Sequence, residues 1–199
     1  MLLRPLSHFR VYEDGQVRGD SSEGLLAFAP QGGLQITKQD GSAFTLEGWR
    51  FISSAKQDDI FVFCASNQLS AELADRFGSP FCVEVSDPDR LISRLKSRAH
   101  PTSHLDYEHL VGGKVDYRDL DQEPKIDWAL PERLAFIKPK SFAWQDEFRI
   151  AVGKRGAFNV ENVALKLETG AAAAPPVPSQ AELFLRVGSL ASLARLHLL

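Results

Sequence analysis

The amino-acid sequence predicts an α+β fold: a single domain over residues 1–199, with a twisted, mainly antiparallel β-sheet core and two or more packed helices. Three observations carry that expectation. Short apolar runs of strand length recur along the chain, separated by Gly, Pro and Asp turn signals. Two segments, residues 67 to 77 and 88 to 98, instead repeat their apolar residues at helical spacing. At 199 residues and 44% hydrophobic composition, the chain is long enough to bury one substantial core.

Taken in order, His8 to Tyr12 reads as a strand, with Phe9 and Val11 on one face and His8, Arg10 and Tyr12 on the other. Glu13 to Gln16 is a turn, and RGDSSEG (Arg18 to Gly24) is a compact polar loop. Strands follow at Leu25 to Phe28, Leu34 to Thr37, Phe44 to Glu47 and Trp49 to Ile52. Turn signals at Pro30 to Gly33 and Asp40-Gly41 separate them. The run IFVFC, Ile60 to Cys64, predicts a central strand covered on both faces. Leu69, Leu73 and Phe77 then mark a helix, capped by Ser66 or Ser70 and ended at Gly78. Phe81 to Val85 is a strand. Asp87 as cap and Pro88 at the first helical position open a second helix, with Leu91, Ile92 and Leu95 on its buried face.

Tyr107 to Val111 and Lys114 to Arg118 flank Gly112-Gly113, which reads as a tight hairpin; the spacing around Lys114 matches no phosphate loop. Asp119 to Pro131 is irregular and acidic, and Leu134 to Ile137 is a short strand. Ser141 to Trp144 is a turn or one helical turn. Glu147 to Val152 alternates, sending Phe148, Ile150 and Val152 to the core and Gln145, Glu147 and Arg149 to the opposite face. Strands at Val163 to Leu167 and Leu183 to Val187 bracket an exposed Ala/Pro-rich loop, residues 171–179. The apolar tail Leu190 to Leu199 docks on the body.

Composition narrows the function classes. The net charge is −3, and the 23 Lys and Arg residues form no basic tract, which argues against a dedicated nucleic-acid binder. Cys64 and Cys82 lie in apolar runs and are expected to be buried and reduced. No CxxC pair or Cys/His cluster points to zinc or to a disulfide framework. The five histidines, at 8, 100, 104, 109 and 197, show neither metal spacing nor a triad motif. The first residues lack the apolar core of a signal peptide, and no run approaches the ~20 residues of a membrane span. A cytoplasmic protein with no membrane association is the expectation.

Four polar positions stand out. In FAWQDEFR an aromatic step leads into a strand whose polar face presents Gln145, Glu147 and Arg149. There Glu147 is either a carboxylate fixed at a cleft or part of a solvated edge. Arg10 offers a bidentate grip on phosphate or carboxylate, or is an ordinary surface arginine. Arg18, Asp20 and Glu23, set among glycines, form either a ligand loop or a self-bonded turn. Ser66 follows the central strand and is either at a cleft or a helix cap.

Three segments, the Phe9-Arg10 strand with RGDSSEG, FCAS from Phe63 to Ser66, and FAWQDEFRI from Phe142 to Ile150, together resemble a set of uncharacterised bacterial and phage-associated proteins. Arg10, Ser66 and Gln145-x-Glu147 also stand in the order of the motif residues of the ADP-ribosyltransferase superfamily, a more distant resemblance. The Ser66 segment departs from that superfamily's Ser-Thr-Ser run. The resemblance implies a transferase, in a toxin or phage-defence setting, that cleaves NAD as its substrate. ADP-ribose would pass to a macromolecular target, protein or nucleic acid. It implies Glu147 and Gln145 as catalytic residues and Arg10 and Ser66 at the NAD; Arg18, Asp20 and Glu23, read from the loop's own composition, are further candidates for contact with that cofactor. A carboxylate fixed beside the ribose stabilises the oxocarbenium character of that cleavage. Two further readings stand beside it. One is a non-enzymatic accessory or protein-binding module. The other is a metal-dependent phosphodiesterase using Asp20, Glu23 and Glu147, since Mg²⁺ needs only one or two carboxylates plus phosphate oxygens.

Overall fold

The computed structural model describes residues 1–10, 19–123, 125–169 and 179–199. The first third carries β1 (Leu2–Pro5), α1 (Leu6–Phe9), β2 (Leu25–Phe28), β3 (Leu34–Thr37), β4 (Ala43–Leu46), β5 (Trp49–Ser54) and β6 (Ile60–Ser66). Next come α2 (Ala71–Phe77), β7 (Phe81–Val85), α3 (Pro88–Ala99), β8 (Leu105–Lys114) and β9 (Asp116–Arg118). The last part holds α4 (Pro131–Leu134), β10 (Ile137–Pro139), β11 (Glu147–Lys154), β12 (Ala164–Thr169), β13 (Leu183–Phe184) and β14 (Ala194–Leu198). One 3₁₀ turn, Lys140–Gln145, leads directly into β11.

The main sheet has the order β13-β1-β6-β11-β8, antiparallel throughout. Smaller sheets are β12-β5-β2, β3-β4, β14-β7 and the parallel pair β10-β9. The fold is thus α+β and mainly antiparallel. β11 pairs with the whole of β6, Glu147 opposite Ser66 and Gly153 opposite Ile60. Side chains alternate across that sheet, so Phe61, Ile150 and Val152 share one face with Leu91, Leu95 and Ala99 of α3. Ile60, Val62 and Ala151 share the other face, under Leu6, Leu26, Leu134 and Ala135. The central strands are therefore covered on both sides, as the unbroken IFVFC run predicts.

Helix termini follow their capping chemistry. Leu73 N donates to Ser70 Oγ at 3.2 Å, so Ser70, not Ser66, caps α2. Gly78 ends that helix in the left-handed region, φ 62°, which glycine enters without a Cβ clash. Arg90 N donates to Asp87 Oδ1 at 2.9 Å, and Pro88 opens α3.

Several expectations are corrected. His8 and Phe9 do not open a strand: Leu6–Phe9 form a helical turn with Leu6 fully buried, and the first strand is Leu2–Pro5. The apolar period there is i, i+3 (Leu6, Phe9), not two. Val11 and Tyr12, the Glu13 to Gln16 turn and Arg18 lie outside the described residues, as does the 171–178 part of the Ala/Pro-rich loop. Gly112-Gly113 is no hairpin. β8 runs straight through it and pairs with β11. A Cβ on Gly112 would stand 2.6 Å from Ile92 Cδ1, so the glycine makes room for α3. Leu134 ends a helical turn rather than starting a strand. The tail docks through Leu193, 1% exposed, but Leu196 and Leu198 stay 71% and 75% exposed. Cys64 and Cys82 are half-buried free thiols rather than fully buried.

Candidate functional site

The polar face of β11 is not solvated. Glu147 is 5% exposed and Arg149 1%, because α4 and the loop before β2 close over them. Burying a guanidinium demands partners for its donors. Arg149 Nη1 and Nη2 grip the Glu23 carboxylate in a bidentate pair, the Nη2 bond at 2.9 Å. Nη1 also donates to Ala135 O at 2.6 Å, and Nε to Glu147 Oε1 at 2.6 Å. Lys138, carried by β10, donates to Glu147 Oε2 at 2.9 Å and to Gln145 Oε1 at 2.8 Å. The result is a closed chain, Glu23–Arg149–Glu147–Lys138–Gln145.

Backbone geometry fixes this chain. Asp146 sits in the left-handed region, φ 39°, an uncommon conformation for a residue with a side chain. Asn67 holds it there: its backbone N and Nδ2 both donate to Asp146 O at 2.8 Å. Ser66 Oγ donates to Gln145 O at 2.8 Å, and Glu147 N to Tyr117 Oη at 2.9 Å. The corner that aims Glu147 inward is thereby pinned from two sides. Ser66 acts on this corner through its hydroxyl, while its cross-strand partner is Glu147 itself.

Electrostatics follow from the count of charges. Burial would raise the Glu147 carboxyl, but Arg149 and then Lys138 outweigh it and hold it at about 2. Burial would also lower the Arg149 guanidinium, yet Glu23 and Glu147 keep it well above its ordinary range. Asp20, 2% exposed, makes no ion pair among the described residues. Burial, then the Glu23 charge, push its carboxyl up to about 6. Ser22 N donates to Asp20 Oδ1 at 2.8 Å, but Oδ2 has no hydrogen-bond partner among the described residues. Burial and the Glu147 charge push the Cys64 thiol well up, and burial takes the Tyr117 hydroxyl to about 12.

The network forms one end of a cleft of about 830 Å³. Glu23, Ser66, Lys138, Gln145, Glu147 and Arg149 border it there. The remainder is mostly apolar, with Leu73 and Phe77 from α2, Phe81 and Val83 from β7, and Phe63 and Phe148 from the main sheet; Asn67, Gln68, Ser70, Ser79, Glu84 and Lys114 are its polar members. Of the residues singled out in the sequence, Ser66, Gln145, Glu147 and Glu23 thus meet at the cleft. Asp20 lies behind them. Arg10 caps the end of α1, not a strand, and does not border the cleft; Nε donates to Ser21 O and Nη1 to Gln57 Oε1, both at 2.8 Å. Burial lowers its guanidinium, against the pull of Asp20 and Glu23. Among the described residues no group of three or more His, Cys, Asp or Glu side chains is placed to hold a metal ion. Sequence reasoning missed Lys138, Tyr117 and Cys64. Only Lys138, a charge between Ile137 and Pro139 in an apolar strand, left a signal there.

No protein family matches the chain, and no curated protein and no solved structure does either. Among the described residues no helix is long and apolar enough to cross a membrane.

Proposed function

We propose that this protein is a binding module whose cleft takes up a mostly apolar ligand, with the buried ion network as its rigid floor. One observation carries the reading. Both oxygens of Glu147 and every nitrogen of Arg149 are engaged within the protein, while the rest of the cleft presents mostly apolar side chains. A fully satisfied polar network stiffens a site, and a large apolar cleft beside a few polar groups is the usual form of a ligand site. The test is an environment-sensitive apolar dye titrated onto the native protein. Val83→Asp, on a side chain 62% exposed at the cleft, should abolish its binding. Leu165→Asp, 57% exposed on β12, should leave it intact. Equal loss in both variants would sink the reading.

A second reading, an ADP-ribosyltransferase-like enzyme, is favoured by the meeting of Ser66, Gln145 and Glu147 at one end of the same cleft. Glu147 would then have to exchange Lys138 for a ribose hydroxyl, with Gln145 orienting the acceptor. Labelled NAD incubated with the protein and cell lysate should release nicotinamide and label a macromolecule. NAD left intact across lysate fractions removes this reading and leaves the first untouched.

A further inference from the structure

The cleft meets two strands at their edges. Phe63 and Ala65 point to one face of the main sheet and Cys64 and Ser66 to the other, yet all four border the cleft. The same holds for Phe81, Cys82, Val83 and Glu84 of β7. The cleft also takes in both phases of β11, Glu147 to Ile150, which is paired on both sides, so it runs round the end of the sheet, and the pairing decides which strands offer it a backbone edge. The edges of β6 and β7 are open among the described residues. β1 pairs with β6 only at Phe61 and Val62, which leaves Phe63 to Ser66 without a strand on that side. β7 pairs only with β14. Yet β6 and β7 are the two strands of a strand–helix–strand unit, a connection that ordinarily puts both strands in one sheet. Here they stand apart with the cleft between them.

Resting on the binding-module reading, we propose that the cleft binds an extended peptide of a partner protein, which adds as a strand between β6 and β7. The sheet would then run β14-β7-peptide-β6-β11-β8. Main-chain hydrogen bonds to the two open edges supply affinity, and pockets for alternate side chains supply specificity. The five residues of β7 span roughly 17 Å, the length of a strand of about five residues. Side chains entering the apolar part of the cleft would be apolar, against Phe63, Leu73 and Val83. Charge sets the remaining chemistry. Glu23 and Glu147 are paired to Arg149 and Lys138, and Glu84 to His197 at 2.9 Å. Lys114 is exposed at the cleft and makes no ion pair among the described residues. Lys114 lies on β8, two strands beyond β6, so the carboxylate that meets it, from an acidic side chain or the C-terminus, stands on residues that run on past the added strand towards β8.

The probe is a dye-labelled seven-residue peptide alternating valine and threonine and ending in aspartate, followed by fluorescence anisotropy. It should bind saturably. Methylating alternate backbone nitrogens, which removes strand donors but no side chain, should weaken it at least tenfold. Lys114→Glu should invert the preference between this peptide and one ending in lysine. Both Lys114 and Val83 are exposed, so Lys114→Glu and Val83→Asp leave the core intact. Equal binding of methylated and parent peptides would overturn strand addition while leaving apolar-ligand binding in place. Absence of saturable binding by any of these peptides to a protein that still binds the dye would overturn it as well. A concentration-dependent dimer that Val83→Asp dissolves would assign the cleft to a second copy of the chain and reject the peptide.

Discussion

Replacing Glu147 by glutamine keeps the shape of the side chain and removes the charge that faces Arg149 and Lys138. A Glu147 on a solvated edge or at an open cleft, the two readings the sequence offers, implies almost no effect on folding; its burial reverses that. The carboxyl is held at about 2 against an ordinary 4.5. That gap corresponds to roughly 3 kcal/mol favouring the charged form in the fold. Breaking one partner of a buried ion pair typically costs about 3–5 kcal/mol. The two routes agree, so Glu147→Gln should lose about 3–5 kcal/mol. Urea denaturation at pH 7 reads this directly. The wild-type margin should also shrink as pH falls from 4.5 towards 2, because a carboxyl with a depressed native value must take up a proton there. The variant should lack that component. A loss under about 1 kcal/mol at pH 7 would refute the idea that this network is tightly coupled.

Asp20 gives the opposite slope. Its native value of about 6 lies above the ordinary 3.8, so its contribution falls as pH rises through that window, and Asp20→Asn should flatten the decline in a pH series of melting temperatures. Gly112→Ala should cost about 1–2 kcal/mol through the contact with Ile92, and Ile92→Val should recover part of it in a double-mutant cycle. Native thiol labelling near pH 8 should be slow at Cys64, whose thiolate is disfavoured by burial and then by Glu147, and faster at Cys82; equal rates would contradict the placement.

What could be read from the sequence was local. The two caps at Ser70 and Asp87, the Gly78 stop, and the strands at Leu25–Phe28, Leu34–Thr37 and Phe81–Val85 follow from side chains acting on their own neighbourhood. The failures share a different cause. Gly112-Gly113 has the composition of a turn, but Ile92, 20 residues earlier, decides that the chain goes straight. The alternation of Glu147 and Arg149 gives the correct strand, while nothing adjacent tells that Glu23 and Ala135 will cover its polar face. Polar residues on a strand read as exposed unless the partners that bury them are known, and these partners are remote in sequence.

The same remoteness explains why three carboxyls and two cations in one buried place fall into such different states. Arg149 and Lys138 can neutralise two negative charges between them, and geometry hands these to Glu23 and Glu147. Asp20 is the third carboxyl; it feels that saturated chain and itself acts on Arg10, whose guanidinium is already committed to Ser21 O and Gln57 Oε1. Its raised value is the residue of that imbalance, not an independent tuning. A floor so closed to exchange holds the ends of β6 and β11 in place while, among the described residues, the edges of β6 and β7 stay open. For a cleft that works by backbone pairing, a fixed edge is the useful state, since a partner strand then meets donors and acceptors already in register.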